Sequence, residues 1–360
     1  MRKHIFYAGP ATLPVEVLEE LQAEIADYHG QGISMIETSH RSPMYDDVHS
    51  ETTALFRELL AIPENYKVLM LGGGGTLQFA MVPMNLLTAG KTADYTLSGA
   101  WAKKAFADAK KVGQARPIWD GSGSQYNALP DPAAIKAPAD SAYVHLTSNE
   151  TIGGVQWKSF PATGDVPLVA DMSSDFLSRP VDVADFGLIY AGAQKNVGPA
   201  GVTVVIIRDD LVEASPDNLP VYLSYRTHAE KDSLYNTPPV FSIYAVNKVL
   251  KWLKGKGGVE GIQKINTAKA SVLYDVINKS GGFFSCPVDT SVRSDMNVVF
   301  RLPSEELEKE FIAGATERGM LGLKGHRSVG GCRASIYNSL PIESVKALAD
   351  YMTEFKKTKG

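Results

Sequence analysis

The chain has 360 residues, 44% of them hydrophobic and 21% charged, with a formal net charge of −4. That length exceeds one small core and suits two domains, or one large domain with a smaller companion, and the composition is that of a folded globular chain. The slight negative balance offers no basic field for nucleic acid or an anionic membrane, so any anionic ligand must be caught by local charges.

Met1 to Phe6 begins like a signal peptide, but Gly9-Pro10 interrupts it and no apolar run follows. No stretch approaches the ~18 apolar residues of a membrane helix. Cys286 and Cys332 are too few for a disulfide scaffold. The protein is therefore expected to be cytoplasmic, with reduced thiols. Residues 14–29 start with Pro14 and place Val17, Leu18, Leu21, Ile25 and Tyr28 at helical spacing. A turn-rich segment, Ser39-His40-Arg41-Ser42-Pro43, follows, and a second helix is predicted over 47–60. Tyr66 to Leu71 reads as a strand, the four glycines 72–75 as a turn, and Thr76 to Leu87 as a helix. Strands ending in polar residues recur: 142–146 before Thr147-Ser148-Asn149, 167–170 before Asp171, and 187–191 before Gln194-Lys195. Residues 201–207 form a β-branched strand, and 127–140 read as a surface connection. The strands are apolar throughout rather than alternating, which fits an α/β fold with a mainly parallel sheet covered on both faces. In such sheets ligands lie beyond the carboxyl ends of the strands, where Asn149, Asp171 and Lys195 fall. After the glycines at 255–258 the texture becomes α+β: helices over 259–278, 304–317 and 342–356, with strand-like 297–302 and a short Gly-rich strand region at 333–336 between them. Residues 15–257 are read as the large domain, and residues 1–14 with 258–360 as the small one.

Lys195 stands among small residues at a strand end. Partial burial there lowers an amine's pKa and suits it to a Schiff base with an aldehyde cofactor; the segment alone reads equally as a surface lysine on a tight turn. Asp171 could pair with a pyridinium nitrogen, keeping an electron-accepting ring protonated, or could cap the next segment. Its place one strand before Lys195 favours the first reading. Gly72 to Gly75 with Thr76 precede a helix, a setting in which backbone amides hold phosphate. No Gly-Lys-Ser/Thr follows, and Leu77 stands where a dinucleotide fingerprint needs its third glycine, which argues against a nicotinamide dehydrogenase. Trp101 could stack on a flat ring or sit in a core. His40-Arg41, His326-Arg327 and Arg333 lie on Ser- or Gly-rich loops of an acidic chain. Arginine forks there suggest an acidic substrate, although any one arginine reads as well as a solvated ion pair.

Taken together, Phe6-Tyr7-Ala8-Gly9-Pro10-Ala11-Thr12-Leu13-Pro14, Ser39-His40-Arg41-Ser42, Asn149-Glu150-Thr151-Ile152-Gly153-Gly154, Ala193-Gln194-Lys195-Asn196, Gly325-His326-Arg327-Ser328-Val329-Gly330-Gly331 and Arg333-Ala334-Ser335-Ile336-Tyr337-Asn338 resemble the phosphoserine aminotransferases. These are pyridoxal-5'-phosphate enzymes of fold type I, in the class V aminotransferase family. The resemblance runs nearly end to end. It implies a homodimer that moves an amino group between L-glutamate and 3-phosphohydroxypyruvate, giving 2-oxoglutarate and O-phospho-L-serine. It leaves open the four-carbon substrate of vitamin B6 synthesis. It implies that Lys195 carries the cofactor, Asp171 faces the ring nitrogen, Thr151 the ring hydroxyl and Trp101 the ring face. Gly75, Thr76 and Gln194 would hold the phosphate, with Asn236 and Thr237 reaching it across the dimer interface. Arg41 and Arg333 would take substrate carboxylates; His40, His326 and Arg327 the substrate phosphate or side-chain carboxylate. Some members have Ala-Arg where this chain has Gly75-Thr76, so an arginine available to the substrate phosphate is absent here. A cysteine desulfurase, another use of this fold, needs a reactive loop cysteine, and Cys332 is the one loop candidate.

Overall fold

The computed structural model describes residues 2–360. Eleven strands and ten α-helices follow in chain order: β1 (His4–Ile5), α1 (Val15–Glu24), α2 (Pro43–Leu60), β2 (Tyr66–Leu71), α3 (Gly74–Leu86), β3 (Thr92–Leu97), α4 (Ala100–Val112), β4 (Ala115–Asp120), β5 (Ser141–Thr147), β6 (Leu168–Asp171), β7 (Leu188–Gly192), β8 (Thr203–Arg208), α5 (Asp209–Glu213), α6 (Tyr225–Glu230), α7 (Val240–Gly255), α8 (Gly258–Asn278), β9 (Asn297–Phe300), α9 (Glu305–Glu317), β10 (Met320–Leu321), β11 (Cys332–Ser335) and α10 (Ile342–Lys359). Seven strands form the main sheet in the order β2-β8-β7-β6-β5-β3-β4. All its pairings are parallel except those of β8, which runs antiparallel to both β2 and β7.

The strand sequences explain the layering. Val204, Val205, Ile206 and Ile207 of β8 are all buried, because alternate side chains meet different helical layers. Val204 and Ile206 join one apolar cluster with α2 and α7, while Val205 and Ile207 join another with α3 and α4. Fully burying one such side chain is worth about 1.5–3 kcal/mol. A third cluster joins Phe6 to residues of α8, β9, α9, β11 and α10. There β11 pairs antiparallel with β9, and β1 parallel with β10. Among the described residues, no helix is long and apolar enough to cross a membrane.

The register lines up the strand ends that matter. Leu71 of β2 and Gly192 of β7 both face Thr203, Tyr190 of β7 faces Asp171, and Asp171 faces Thr147 of β5. The carboxyl ends of β2, β7, β6, β5 and β3 therefore open onto one edge, the usual ligand crevice of an open α/β sheet.

Several boundaries differ from the sequence expectation. The second helix starts at Pro43, not Asp47: Ser42 accepts the amide of Tyr45 at 3.3 Å and Pro43 occupies the first turn. The first helix stops at Glu24, and Asp27 Oδ1 accepts the Gly32 amide at 2.7 Å in the turn that follows. Helices α4 and α7 have no counterpart among the elements expected from sequence. The strand expected over 333–336 is β11, which starts one residue earlier, so Cys332 lies on a strand and not on a loop.

Candidate active site

Lys195 follows β7 and turns its amine toward the segment after β5, where Nζ donates to Thr151 Oγ1 at 2.7 Å. The same amine stands 5.3 Å from the centre of the Trp101 ring, at the start of α4. The N-terminal segment closes over it. Ala11 donates to the Gln194 carbonyl at 2.9 Å, and a Cβ on Gly9 would lie 3.3 Å from Lys195 Cγ. Burial draws the amine down to about 8, Asp171 and Glu150 pull it up, and Arg333 lowers it further. Such an amine is a usable nucleophile near neutral pH.

Asp171, the last residue of β6, is buried, and its Oδ1 accepts the Ser173 amide at 2.9 Å. Burial raises its carboxyl above the ordinary range, and Lys195 opposes that shift. Ser173 links this strand end to the glycine turn. Its Oγ accepts the Gly192 amide at 3.1 Å, and a Cβ on Gly75 would lie 3.2 Å from it. Gly75 and Thr76 sit in the first turn of α3, whose N-cap Gly73 has no capping side chain. The Gln194 side chain lies against Gly192, where a Cβ would meet its Oε1 at 2.6 Å.

Arg333 reaches from β11 across to the same point, donating through Nη1 to the Thr151 carbonyl at 3.2 Å. A cleft of about 480 Å³ opens beside it, lined by Gly99 and Lys103 on one side and by Arg301 and the loop residues Gly325 and Ser328 on the other. His326, on that loop, shares a hydrogen atom with Ser328 Oγ at 2.7 Å through Nδ1. Its imidazole is held below the usual value, first by burial and then by Arg333, Arg327 and Lys104. Arg327 is exposed on the loop. His40 is half-buried and Arg41 exposed; among the described residues no hydrogen bond ties either side chain to Lys195, Asp171 or Arg333. Asn236 and Thr237 are exposed on a separate pocket of about 280 Å³ that also includes Gly72 and Tyr222.

Unused hydrogen-bonding capacity marks the crevice. Trp101 Nε1 and Arg333 Nε are buried without a protein partner. With the open first turn of α3, they suit a planar, anionic molecule, and the residues present fit pyridoxal phosphate.

The chain matches the family described as Aminotransferase class-V over residues 4–348. It belongs to that family. It is 55% identical over 359 residues to the phosphoserine aminotransferase of Niallia circulans, covering 100% of this chain and 99% of the relative. Among solved structures, it superposes on the phosphoserine aminotransferase from Bacillus circulans subsp. alkalophilus with a TM-score of 0.99 and 55% identity, over 100% of this chain and 99% of that one. The pyridoxal-phosphate-bound phosphoserine aminotransferase from Trichomonas vaginalis gives a TM-score of 0.93 at 38% identity, over 98% and 100%. The fold is thus the fold-type-I α/β fold expected from sequence.

Other residues of this class-V aminotransferase shape the site without having been singled out from sequence. His145 of β5 stacks on Tyr95, with ring centres 4.7 Å apart, and its Nε2 pairs with Tyr190 Oη at 2.9 Å. Burial pulls that imidazole down to about 3, so it is neutral at working pH. Glu150, fully buried, caps α4 beneath Trp101. Neither had a local signal; each acts across the sheet edge on residues about fifty positions away. Cys332 is buried on β11, and burial raises its thiol, the opposite of a reactive desulfurase cysteine.

Proposed function

We propose that the protein is a pyridoxal-phosphate aminotransferase exchanging an amino group between L-glutamate and 3-phosphohydroxypyruvate. One observation carries the reading: a lysine amine lowered to about 8, held by Thr151 Oγ1 beside an aromatic face and a buried aspartate at the strand-end crevice. Pyridoxal phosphate, when bound, supplies an aldehyde that condenses with amines and a ring that takes up the electron pair left at the substrate Cα. Lys195 would carry it and, once displaced by the substrate amine, move the Cα proton through Nζ. Thr151 keeps that amine oriented through its 2.7 Å hydrogen bond and would face the ring hydroxyl. Asp171 would hold a proton at the ring nitrogen, and Trp101 would cover the ring face. The open amides of Gly75 and Thr76, with Gln194, would hold the phosphate.

Arg333 would take the substrate α-carboxylate, because its Nε is free and its Nη1 is already anchored on Thr151. Arg41 would take a second carboxylate. His40, His326 and Arg327 would meet the phosphate or the side-chain carboxylate, which suits two acidic substrates sharing one site in alternate half-reactions. The reading also includes a homodimer in which Asn236 and Thr237 reach the partner subunit's cofactor phosphate. It keeps the division into residues 15–257 and residues 1–14 with 258–360, supported by the separate apolar cluster that joins Phe6 to the C-terminal elements.

The test is direct. Purified protein should show a visible absorbance band that L-glutamate bleaches and 3-phosphohydroxypyruvate restores, with phosphoserine formed. Lys195→Ala should lose both the band and turnover; a variant keeping both would sink the assignment.

A further inference from the structure

Glu150 is fully buried, and both carboxylate oxygens accept amides of the first turn of α4: Oε2 from Trp101 at 3.1 Å and Oε1 from Ala102 at 2.9 Å. A helix leaves such first-turn amides unpaired, and a Ser, Thr, Asp or Asn at the N-cap ordinarily takes one of them. Here the N-cap is Gly99, which has no side chain to give. The space is already filled, since a Cβ on Gly99 would lie 2.6 Å from Glu150 Cδ. A carboxylate from the end of a neighbouring strand thus replaces the local cap.

That choice has a cost. A small polar residue at position 99 would cap the helix without burying a full charge, whereas burial pushes the Glu150 carboxyl up to about 7. What the distant cap adds is continuity with the site. The next residue, Thr151, holds the Lys195 amine through Oγ1 and the Arg333 guanidinium through its carbonyl. One dipeptide therefore anchors the aromatic ring, the amine and the guanidinium. The Trp101 ring packs against the apolar cluster of α3 and α4, but no hydrogen bond holds its indole. Its Nε1 has no partner, its neighbour Phe79 is tilted at 6.4 Å between centres, and the flexible Lys104 lies 4.2 Å above it.

We propose that Glu150 is a positioning residue for the reaction, fixing the first turn of α4 so that the Trp101 ring keeps one plane relative to Lys195 and Thr151. The proposal rests on the pyridoxal-phosphate reading above. Glu150→Gln retains the volume but leaves one acceptor oxygen for two amides, so it loosens the clamp with little disturbance of packing.

The experiment compares holoenzyme, Glu150→Gln, Trp101→Ala and the double variant by kcat, KM for glutamate, visible circular dichroism of the bound cofactor and unfolding temperature. Glu150→Gln should keep its cofactor, lose about tenfold in kcat with KM changed less than about threefold, and show a weakened dichroic band. Once Trp101→Ala has removed the ring, adding Glu150→Gln should change kcat by less than about twofold. If Glu150→Gln lowers only the unfolding temperature, or the two substitutions multiply independently, Glu150 is a helix cap and nothing more. Should Glu150→Gln fail to fold, Gly99→Ala, which presses on the same carboxylate, is judged by the same criteria. Absence of a visible band in the unsubstituted protein would sink the cofactor reading instead, so the two failures are distinct.

Discussion

Lys195 gives an expectation that can be worked from its surroundings. At pH 7 an amine at about 8 is neutral in roughly one molecule in ten, whereas an ordinary lysine at ~10.4 is neutral in roughly one in 2,500. Only the neutral amine attacks an aldehyde. Protein stripped of cofactor should therefore capture added pyridoxal phosphate at pH 7 about 200-fold faster than a solvated lysine of equal intrinsic reactivity. Stopped-flow growth of the visible band between pH 6 and 10 measures this. The rate should rise about tenfold per pH unit below the break and level off above about 8. Asp171 is the carboxylate that does most to keep the amine protonated, so Asp171→Asn should move the break to lower pH. A lysine depressed in the folded state binds its proton less tightly there, so its contribution to the cofactor-free protein is present above ~10.4 and lost as pH falls through about 8. A capture rate still climbing at pH 10, or a break that moves upward in Asp171→Asn, would refute the burial argument.

Two further outcomes separate recognition from stability. Arg333→Lys keeps the charge but loses the planar fork anchored on Thr151, so KM for glutamate should rise about tenfold or more with a smaller change in kcat, as steady-state kinetics will report. Lys269 is wholly buried in α8, and its Nζ donates to the carbonyls of Tyr337, Asn338 and Leu340 at 2.6, 3.4 and 3.2 Å. Lys269→Met leaves these acceptors without that partner and should cost about 2–4 kcal/mol in urea unfolding, with the visible spectrum unchanged.

The strand-end residues were legible because their signal is local. Lys195, Asp171 and Asn149 each lie just past a mostly apolar run, and such runs end at the crevice of a parallel sheet. Helix α4 was not legible, although it carries Trp101. Its start has Gly99 where a capping side chain is expected, and the carboxylate that caps it lies 49 residues further along the chain. Helix α7 follows Pro238-Pro239 and is buried on most of its surface, so its apolar residues show no clear face. The strand at Arg333 was legible from Ala334-Ser335-Ile336, but Cys332 looked like a loop residue because glycines precede it; pairing with Phe300 of β9, remote in sequence, makes it part of the strand. The His145–Tyr190 pair was hidden for the same reason, since only the packing of β5 and β7 around β6 brings the two rings together.

Helices α3 and α4 both begin at the crevice edge, and both have a glycine N-cap without a capping side chain. Their first-turn amides are electrically equivalent, yet the protein has filled only one set. Glu150 occupies the end of α4, which leaves the end of α3 as the place for an outside anion. Thr76, exposed in the first turn of α3, tests this through two opposed effects. A carboxylate introduced by Thr76→Asp should favour the helix dipole by about 0.3–1 kcal/mol, so the cofactor-free protein should unfold at an equal or higher temperature. The same charge would repel a phosphate, and pyridoxal phosphate should bind about 10- to 100-fold more weakly in titrations followed by its visible band. General damage to the fold would move both measurements in the unfavourable direction. Undiminished cofactor affinity in Thr76→Asp would mean that the open helix end is not where the phosphate is held.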